Sequence, residues 1–272
     1  MNTFHFYHLD SFAFAPFRGN PAGVVVLDGP EWPQKELLQK VAAELNLPAT
    51  AFIIPDEVKS KIRWFSPTLE IQLCGHASLA AGAVLLQKLF PNSNQMILDS
   101  LYSGELPIRK RGNRIQLDFP RDFTKPLANL PATIPASWRA VQAHQGKVLF
   151  IELDSQKAVQ NFPYDRQLIA ALDPYTVVIT AKSADPHYDF VSRVFEPNIG
   201  IDEDPVTGSA HCGLADLWSK KLGKKQLRAA QLSERMGELE LEVLEDRVLI
   251  TGQVAFIMEG KIAFPHPKKI LA

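Results

Sequence analysis

The stretch G75-H-A-S-L-A-A-G-A-V-L-L-Q-K-L89 decides the fold, because its residues are apolar on nearly every side. A helix that is apolar all round belongs in a protein interior and not on its surface. We therefore predict a buried helix over Ala77–Leu89. The stretch G208-S-A-H-C-G-L-A-D-L-W-S-K-K-L222 predicts a second helix over Ala210–Leu222. Lys220, Lys221, Lys224 and Lys225 around Gly223 mark the end of that helix and its exit loop.

The chain repeats itself once. Identical residues recur 133 positions apart at several places in the chain. The matching pairs are Gly75 and Gly208, Lys88-Leu89 and Lys221-Leu222, Gly104-Glu105-Leu106 and Gly237-Glu238-Leu239, and Arg114 and Arg247. Just upstream, Trp64-Phe65-Ser66-Pro67 corresponds to Val194-Phe195-Glu196-Pro197 at a step of 130. A single offset held over so many landmarks indicates two homologous halves.

Both halves have the same order of local patterns. A β-branched and aromatic run, Lys61–Phe65 in one half and Asp189–Phe195 in the other, ends at a proline and predicts a strand. The apolar helix follows, and then a hairpin whose turn contains Gly112-Asn113 or Glu245-Asp246. Another helix is predicted over about Gln34–Leu45.

These patterns predict an α+β fold of two pseudo-symmetric halves. Each half is a mostly antiparallel sheet wrapped around a central apolar helix. We place the halves at residues 1–119 and 120–272, with the last residues able to pack back on the N-terminal half.

Composition excludes several classes of protein. The 272 residues include 29 Lys+Arg and 30 Asp+Glu, for a formal charge of −1, so no basic stripe for nucleic acid is expected. No apolar run reaches the roughly 18 residues that a membrane span needs. The first residues, MNTFHFYHLD, lack a basic segment followed by an apolar one, so we expect no secretory signal and a cytoplasmic location.

The sequence also lacks the usual motifs for metals and cofactors. The seven histidines and two cysteines show no HxxxH or CxxC spacing, so no metal is expected. The glycine-containing turn Gly19–Gly23 fits neither a dinucleotide-binding nor a Walker pattern, and Gly208-Ser209 lacks the GxSxG context of a serine hydrolase. We expect no cofactor.

The starts of the two central helices are candidate anion sites. The free N–H groups and the positive end of a helix together favour a carboxylate. We therefore expect substrate-binding roles for Gly75 and Ser78 at the first helix, and for Thr207 and Gly208 at the second. If the halves face each other, both helix ends point into one cleft.

Three long motifs resemble one protein family. They are FAFAPFRGNPAGVVVL (12–27), RWFSPTLEIQLCGHASLAAG (63–82) and SRVFEPNIGIDEDPVTGSAH (192–211), and the match continues through Gln231-Leu-Ser-Glu-Arg235. They are similar to the PhzF-like family of phenazine-biosynthesis isomerases. The resemblance implies the diaminopimelate-epimerase fold with an active site between two halves. It also implies cofactor-independent proton transfer on a small carboxylate-bearing substrate, and a homodimer.

The resemblance assigns catalytic roles to His76, Asp204 and Ser209, and places Gly75 and Gly208 beside the substrate's carboxylate. In the phenazine enzyme, a glutamate within N-L-S-E-T-T/A-F is the general acid/base. The matching segment here is Asn46-Leu-Pro-Ala-Thr-Ala-Phe52, so Ala49 occupies the glutamate position. A methyl group cannot take a proton, and general acid/base catalysis typically contributes about 10²- to 10⁴-fold.

Alternatives remain open at several residues. His76 is either a substrate contact or a histidine satisfied by backbone, and Asp204 is either a site residue or a turn residue before Pro205. Ser209 either caps its helix, binds the carboxylate, or does both. Cys74 lies where two-cysteine epimerases of this fold place their first thiol, but Thr207 stands at the second position. Cys212 is expected to be a small core residue.

The sequence thus favours a PhzF-like isomerase or epimerase. One alternative is a non-catalytic small-molecule-binding or interaction protein on the same scaffold, and a second is an enzyme that uses the single thiol of Cys74. A carboxyl group at the site other than that of Asp204 would favour catalysis.

Overall fold

A computed structural model describes residues 2–172 and 176–264, and the chain divides into two compact units. Unit 1 contains the described part of Met1–Asp118 and of Gly252–Ala272, and unit 2 is Phe119–Thr251 with the same gap. The helices α1–α5 and strands β1–β17 are numbered along the chain.

Unit 1 contains two helices and the strands around them. The helices are α1 (Lys35–Leu45) and α2 (Gly75–Val84), and α2 continues into a π-helical turn (Leu85–Leu89). The strands are β1 (Asn2–Ser11), β2 (Asn20–Val26), β3 (Ala49–Ile54), β4 (Lys59–Phe65), β5 (Glu70–Ile71), β6 (Gln95–Ser100), β7 (Gly104–Arg111) and β8 (Arg114–Pro120).

Unit 2 contains three α-helices, two 3-10 turns and further strands. The helices are α3 (Gln156–Gln160), α4 (Arg166–Leu172) and α5 (Ala210–Leu222), and the 3-10 turns are Ala136–Trp138 and Pro197–Ile199. The strands are β9 (Lys125–Pro126), β10 (Ala140–Gln145), β11 (Leu149–Leu153), β12 (Val177–Lys182), β13 (Phe190–Glu196), β14 (Ile201–Asp204), β15 (Gln226–Gln231), β16 (Gly237–Val243) and β17 (Arg247–Phe264). The later part of β17 belongs to unit 1.

The described strands of the two units have the same topology within one hydrogen-bonded sheet of 17 strands. In unit 1 the strands β1-β2-β3-β4-β6-β7-β8 are neighbours in that order, and the pairs β2–β3 and β4–β6 are parallel. In unit 2 the order is β9-β10-β11-β12-β13-β15-β16-β17, with parallel pairs β11–β12 and β13–β15. The other described neighbours in both series are antiparallel. Each parallel pair is connected through helix, as parallel pairing requires.

The structure confirms the predicted α+β fold and the repeat behind it. The offset of 133 relates Gly104 and Gly237, the first residues of β7 and β16. It also relates Arg114 and Arg247, the first residues of β8 and β17. The predicted helix Ala210–Leu222 coincides with α5. The first predicted helix begins two residues earlier than expected, because Gly75 and His76 already belong to α2.

The central helices lie inside their units. All ten residues of α2 are buried, and so are the residues of α5 from Ala210 to Ser219. Helix α1 covers part of the other face of the unit 1 strands. In unit 1, Leu38 and Val41 of α1 pack with Phe52 and Phe65.

The buried carboxylate of Asp216 anchors α5 within unit 2. Asp216, fully buried, accepts hydrogen bonds from Arg121 Nε at 2.8 Å, Lys220 Nζ at 2.7 Å and the Thr124 N–H at 2.7 Å. Burial raises the pKa of Asp216, but the hydrogen bonds from Lys220, Thr124 and Arg121 outweigh it and leave the pKa below its usual value. Asp216 therefore stays ionised inside the unit.

The described residues contain no helix that is both long and apolar enough to cross a membrane.

The contact between α5 and β11 gives a stability prediction. A Cβ atom added at Gly213 would lie 2.3 Å from Cζ of Phe150. We expect Gly213→Ala to lower the free energy of unfolding by about 1–3 kcal/mol, the usual range for overpacking. Urea unfolding followed by circular dichroism measures the change. Gly260→Ala is the matched control, because no atom lies within 4 Å of its added Cβ. Equal midpoints for the two variants would contradict this packing.

Candidate functional site

The first half-site lies at the start of α2. Cys74 precedes the helix in an extended conformation, and its carbonyl accepts hydrogen bonds from the N–H of Ser78 at 3.0 Å and from Ser78 Oγ at 2.6 Å. The hydroxyl proton of Ser78 is therefore already donated to the Cys74 carbonyl at the start of α2. The predicted substrate contact of Ser78 stays a prediction, and its hydroxyl has only acceptor capacity left for it.

His76 and Cys74 are in contact at this helix start. Sγ of Cys74 lies 3.5 Å from Nδ1 of His76, and both residues are buried. The His76 carbonyl accepts a hydrogen bond from Ser11 Oγ at 2.7 Å, which ties the start of α2 to the end of β1. A thiol and an imidazole at this distance can pass a proton between sulfur and nitrogen. Cys74 and His76 therefore form a pair of side chains that can exchange a proton.

Ala49 is the first residue of β3 and is completely buried. It stands opposite Ala22 in the parallel pair β2–β3. Two small side chains thus face each other where the resemblance places a glutamate, and unit 1 has no acid at this position.

The second half-site precedes α5. Asp204 ends β14, and Oγ1 of Thr207 donates a hydrogen bond to its Oδ2 at 2.5 Å. Gln231, at the end of β15, spans the same loop. Its Nε2 donates to the Asp204 carbonyl at 2.7 Å, and its Oε1 accepts from the Thr207 N–H at 2.9 Å. Asp204, Thr207 and Gln231 are all buried, so this loop is held in one conformation.

Ser209 flanks α5 and is exposed to solvent. Its side chain makes no capping hydrogen bond, so the capping role left open by the sequence is not used in this structure. The first N–H groups of a helix have no intrahelical acceptor. The start of α5 therefore presents a free hydroxyl beside backbone donors, as a carboxylate site requires.

His211 and Cys212 are buried in α5, and the pKa of each favours its neutral form. Nδ1 of His211 lies 2.8 Å from the Thr207 carbonyl, and desolvation lowers the pKa of His211 to about 4 against the effect of that hydrogen bond. The neutral ring thus donates from Nδ1. Cys212 is a buried core residue, as predicted, and desolvation raises its pKa to about 12.

The structure brings the predicted residues together within each unit. Cys74, Gly75, His76 and Ser78 share the start of α2, while Asp204, Thr207, Gly208 and Ser209 share the approach to α5. Gln231 was not predicted as a site residue, although it begins the Gln231–Arg235 motif. Its two hydrogen bonds depend on tertiary structure. Among the described residues, no group of three or more His, Cys, Asp or Glu is arranged to hold a metal ion.

Comparisons with known proteins agree with this picture. Residues 9–260 match the sequence profile of the PhzC-PhzF family, described as phenazine biosynthesis-like protein. The chain is 38% identical over 257 residues to an uncharacterized isomerase of Pseudomonas aeruginosa, which covers 94% of this chain and 97% of the relative. A PhzF-family crystal structure from Enterococcus faecalis has a TM-score of 0.90 at 36% identity, over 97% of this chain and all of that one.

A more distant solved structure shows the fold alone. A predicted epimerase of Pseudomonas aeruginosa has a TM-score of 0.69 at 20% identity, over 96% of this chain and 100% of that one. Together with the PhzF-family structure, it confirms the predicted fold of diaminopimelate-epimerase type.

The loop before α5 gives a second prediction. We expect Gln231→Leu to lower the free energy of unfolding by about 1–3 kcal/mol for each buried group that it leaves unpaired, here the Asp204 carbonyl and the Thr207 N–H. Hydrogen exchange of the Thr207 amide should also accelerate. Gln226→Leu, at an exposed position of the same strand, is the control. If the Thr207 amide exchanges equally in both variants, Gln231 does not order this loop.

Proposed function

Because the chain belongs to the phenazine biosynthesis-like protein family, we propose that it is an isomerase that transfers a proton on a small carboxylate-bearing substrate. The observation that carries the proposal is the repeated helix start. Gly75-His76 and Gly208-Ser209 occupy equivalent positions at the starts of α2 and α5. Helix starts of this kind bind anions through backbone donors and the helix dipole.

In this proposal the helix starts bind the carboxylate, and polar side chains beside them move the proton. Gly75 and Gly208 bind the carboxylate through backbone N–H groups. Ser78 and Thr207 hold the two helix starts in place, because the Ser78 hydroxyl donates to Cys74 and the Thr207 N–H donates to Gln231. Ser209 donates its free hydroxyl to the same carboxylate. His76 and Asp204 move the proton. A base takes a proton from a carbon of the substrate, the electron pair of that C–H bond is delocalised into the adjoining carboxylate or conjugated system, and an acid returns a proton to the same carbon or to another one.

The overall reaction is balanced without an oxidant, a reductant or a metal, since one proton leaves the substrate and one returns. We therefore propose cofactor-independent catalysis. The resemblance to PhzF-like enzymes supports a homodimer, and the composition of the chain supports a cytoplasmic location without nucleic-acid or membrane partners.

Proton NMR in D₂O tests the reaction. The probes are trans-2,3-dihydro-3-hydroxyanthranilate, L-glutamate and L-proline, each a small acid with a C–H bond near a carboxylate. We expect the native protein to isomerise at least one probe or to exchange its carbon-bound proton for deuterium. The variant Ala49→Glu, measured beside it, restores the glutamate of the phenazine enzyme.

The comparison separates the two classes of function. Turnover by Ala49→Glu alone would contradict our proposal and favour a native protein that binds a small molecule without converting it. Absence of turnover in both proteins would contradict it as well. Urea unfolding of Ala49→Glu is the necessary control, because position 49 is completely buried.

The contact between Cys74 and His76 favours a second candidate, an epimerase-like enzyme that uses one thiol. The 3.5 Å distance from Sγ to Nδ1 would allow His76 to take the thiol proton and leave a thiolate base. Thr207 stands where a second thiol would be needed. A carboxyl group would then have to supply the other proton.

Replacing Cys74 distinguishes the two mechanisms. We expect Cys74→Ala to reduce deuterium incorporation at most about tenfold, since the substitution removes only a neighbour that orients His76. A loss in the 10²- to 10⁴-fold range would instead assign general base catalysis to the thiol. Cys212→Ala is the matched control, because this second cysteine is buried in α5.

A further inference from the structure

Glu196 is a carboxylic acid at the second half-site that has no assigned role. It is the last residue of β13 and is partly buried. In the sequence it belongs to Val194-Phe195-Glu196-Pro197, and the repeat places Ser66 at the equivalent position of unit 1. The acid is therefore specific to unit 2.

Strand geometry puts Glu196 on the same face as Asp204. Val194 stands directly opposite Asp204 in the antiparallel pair β13–β14, so their side chains point to the same side. Glu196 follows Val194 by two residues along β13 and shares its face. The register of the pair shifts between Val194 and Glu196, and Glu196 therefore stands opposite Ile201.

The opposite face of this strand pair carries an acid of a different kind. Glu203 accepts hydrogen bonds from Arg193 at 2.6 Å (Nε) and 2.8 Å (Nη2), so its charge is neutralised. Glu196 has no such partner. Its Oε1 accepts a hydrogen bond from Thr176 Oγ1 at 2.8 Å, and among the described residues no cation lies within ion-pair distance.

The surroundings of Glu196 favour its protonated form. Desolvation and the negative charge of Asp204 together raise the pKa of Glu196 to about 7, against the hydrogen bond from Thr176. A carboxyl group that is about half ionised near neutral pH can both accept and donate a proton during a reaction.

We propose that Glu196 on β13 is a general acid/base of this protein, which has Ala49 and therefore no carboxyl group at the glutamate position of the phenazine enzyme. The inference rests on the proposed function and adds one catalytic residue to the same site. The ionised carboxylate takes a proton from a substrate carbon, forming an O–H bond as the C–H bond breaks and its electron pair is delocalised into the adjoining carboxylate or conjugated system. The protonated carboxyl then returns a proton to the same carbon or to another one.

Glu196→Gln tests the assignment, because it keeps the shape and the acceptor for Thr176 but cannot take or give the proton. We expect it to lower deuterium incorporation into the probes 10²-fold or more. Glu203→Gln is the matched control, since it removes a carboxylate one residue before Asp204 but on the opposite face. It should stay within about threefold of the native rate.

The pH dependence provides a readout that a merely structural residue would not change. We expect the native rate of exchange to depend on a group titrating near pH 7, and this dependence to be absent in the residual activity of Glu196→Gln. The groups that face Glu196 are Asp204 from β14 and Thr176 ahead of β12, and of these two only Asp204 carries a charge that raises the pKa of Glu196. Asp204→Asn should therefore move the native transition to lower pH.

Stability provides a readout that needs no substrate. The folded protein raises the pKa of Glu196 from 4.5 to about 7, so this group lowers the stability of the fold progressively as the pH rises between these two values, and the loss is complete above about pH 7. A neutral glutamine avoids this cost. We expect Glu196→Gln to raise the midpoint of thermal unfolding relative to the native protein, and to do so more at pH 8 than at pH 5.

The outcomes separate the two proposals. If the native protein exchanges a probe and Glu196→Gln stays within tenfold of it, the assignment of Glu196 is wrong and the proposed function stands. If the native protein exchanges no probe, the proposed function fails and the catalytic role of Glu196 fails with it. A variant that unfolds earlier than the native protein at pH 8 would contradict the electrostatic environment described for Glu196.

Discussion

The burial of two apolar helices is the constraint on which the rest of this structure depends. A helix such as α2, with all ten residues buried, must be covered on every side, and a single flat sheet cannot do this. The sheet of each unit therefore curves around its helix, and parallel pairs such as β4–β6 arise because the chain has to pass through the helix between them. The outer helices, α1 among them, then cover the apolar outer faces.

The same constraint determines where polar chemistry can occur. Inside a covered helix every N–H and C=O group is paired, so the unpaired donors are confined to the first turn. At the other end of α2, the N–H of Phe90 bonds the Leu85 carbonyl at 2.7 Å in a π-helical turn, which satisfies an end group within the chain. The candidate functional residues, such as His76 and Ser209, therefore lie at or beside the first turn. Asp216 lies in the middle of α5, and its charge is neutralised by ion pairs with Arg121 and Lys220.

Much of this could be predicted from the sequence, because the repeated landmarks report directly on strand and helix boundaries. Gly104 and Gly237 mark strand starts, and α5 follows the apolar pattern of its sequence. The interactions that could not be predicted are those between residues distant in the chain. The contact of Gln231 with the Asp204–Thr207 loop, and the placement of Glu196 on the face of Asp204, depend on strand pairings and one register irregularity. Composition and spacing carry no information on such irregularities.

The long strand β17 has a consequence for synthesis of the chain. Its residues 254–264 pair with β1, which is synthesised well before β17. Unit 1 therefore exposes one edge of β1 until residues 254–264 have been made. An open strand edge invites pairing with other chains. The nascent protein should consequently depend on chaperones during elongation, and truncation before residue 254 should cause aggregation even though α2 and most of its sheet are complete.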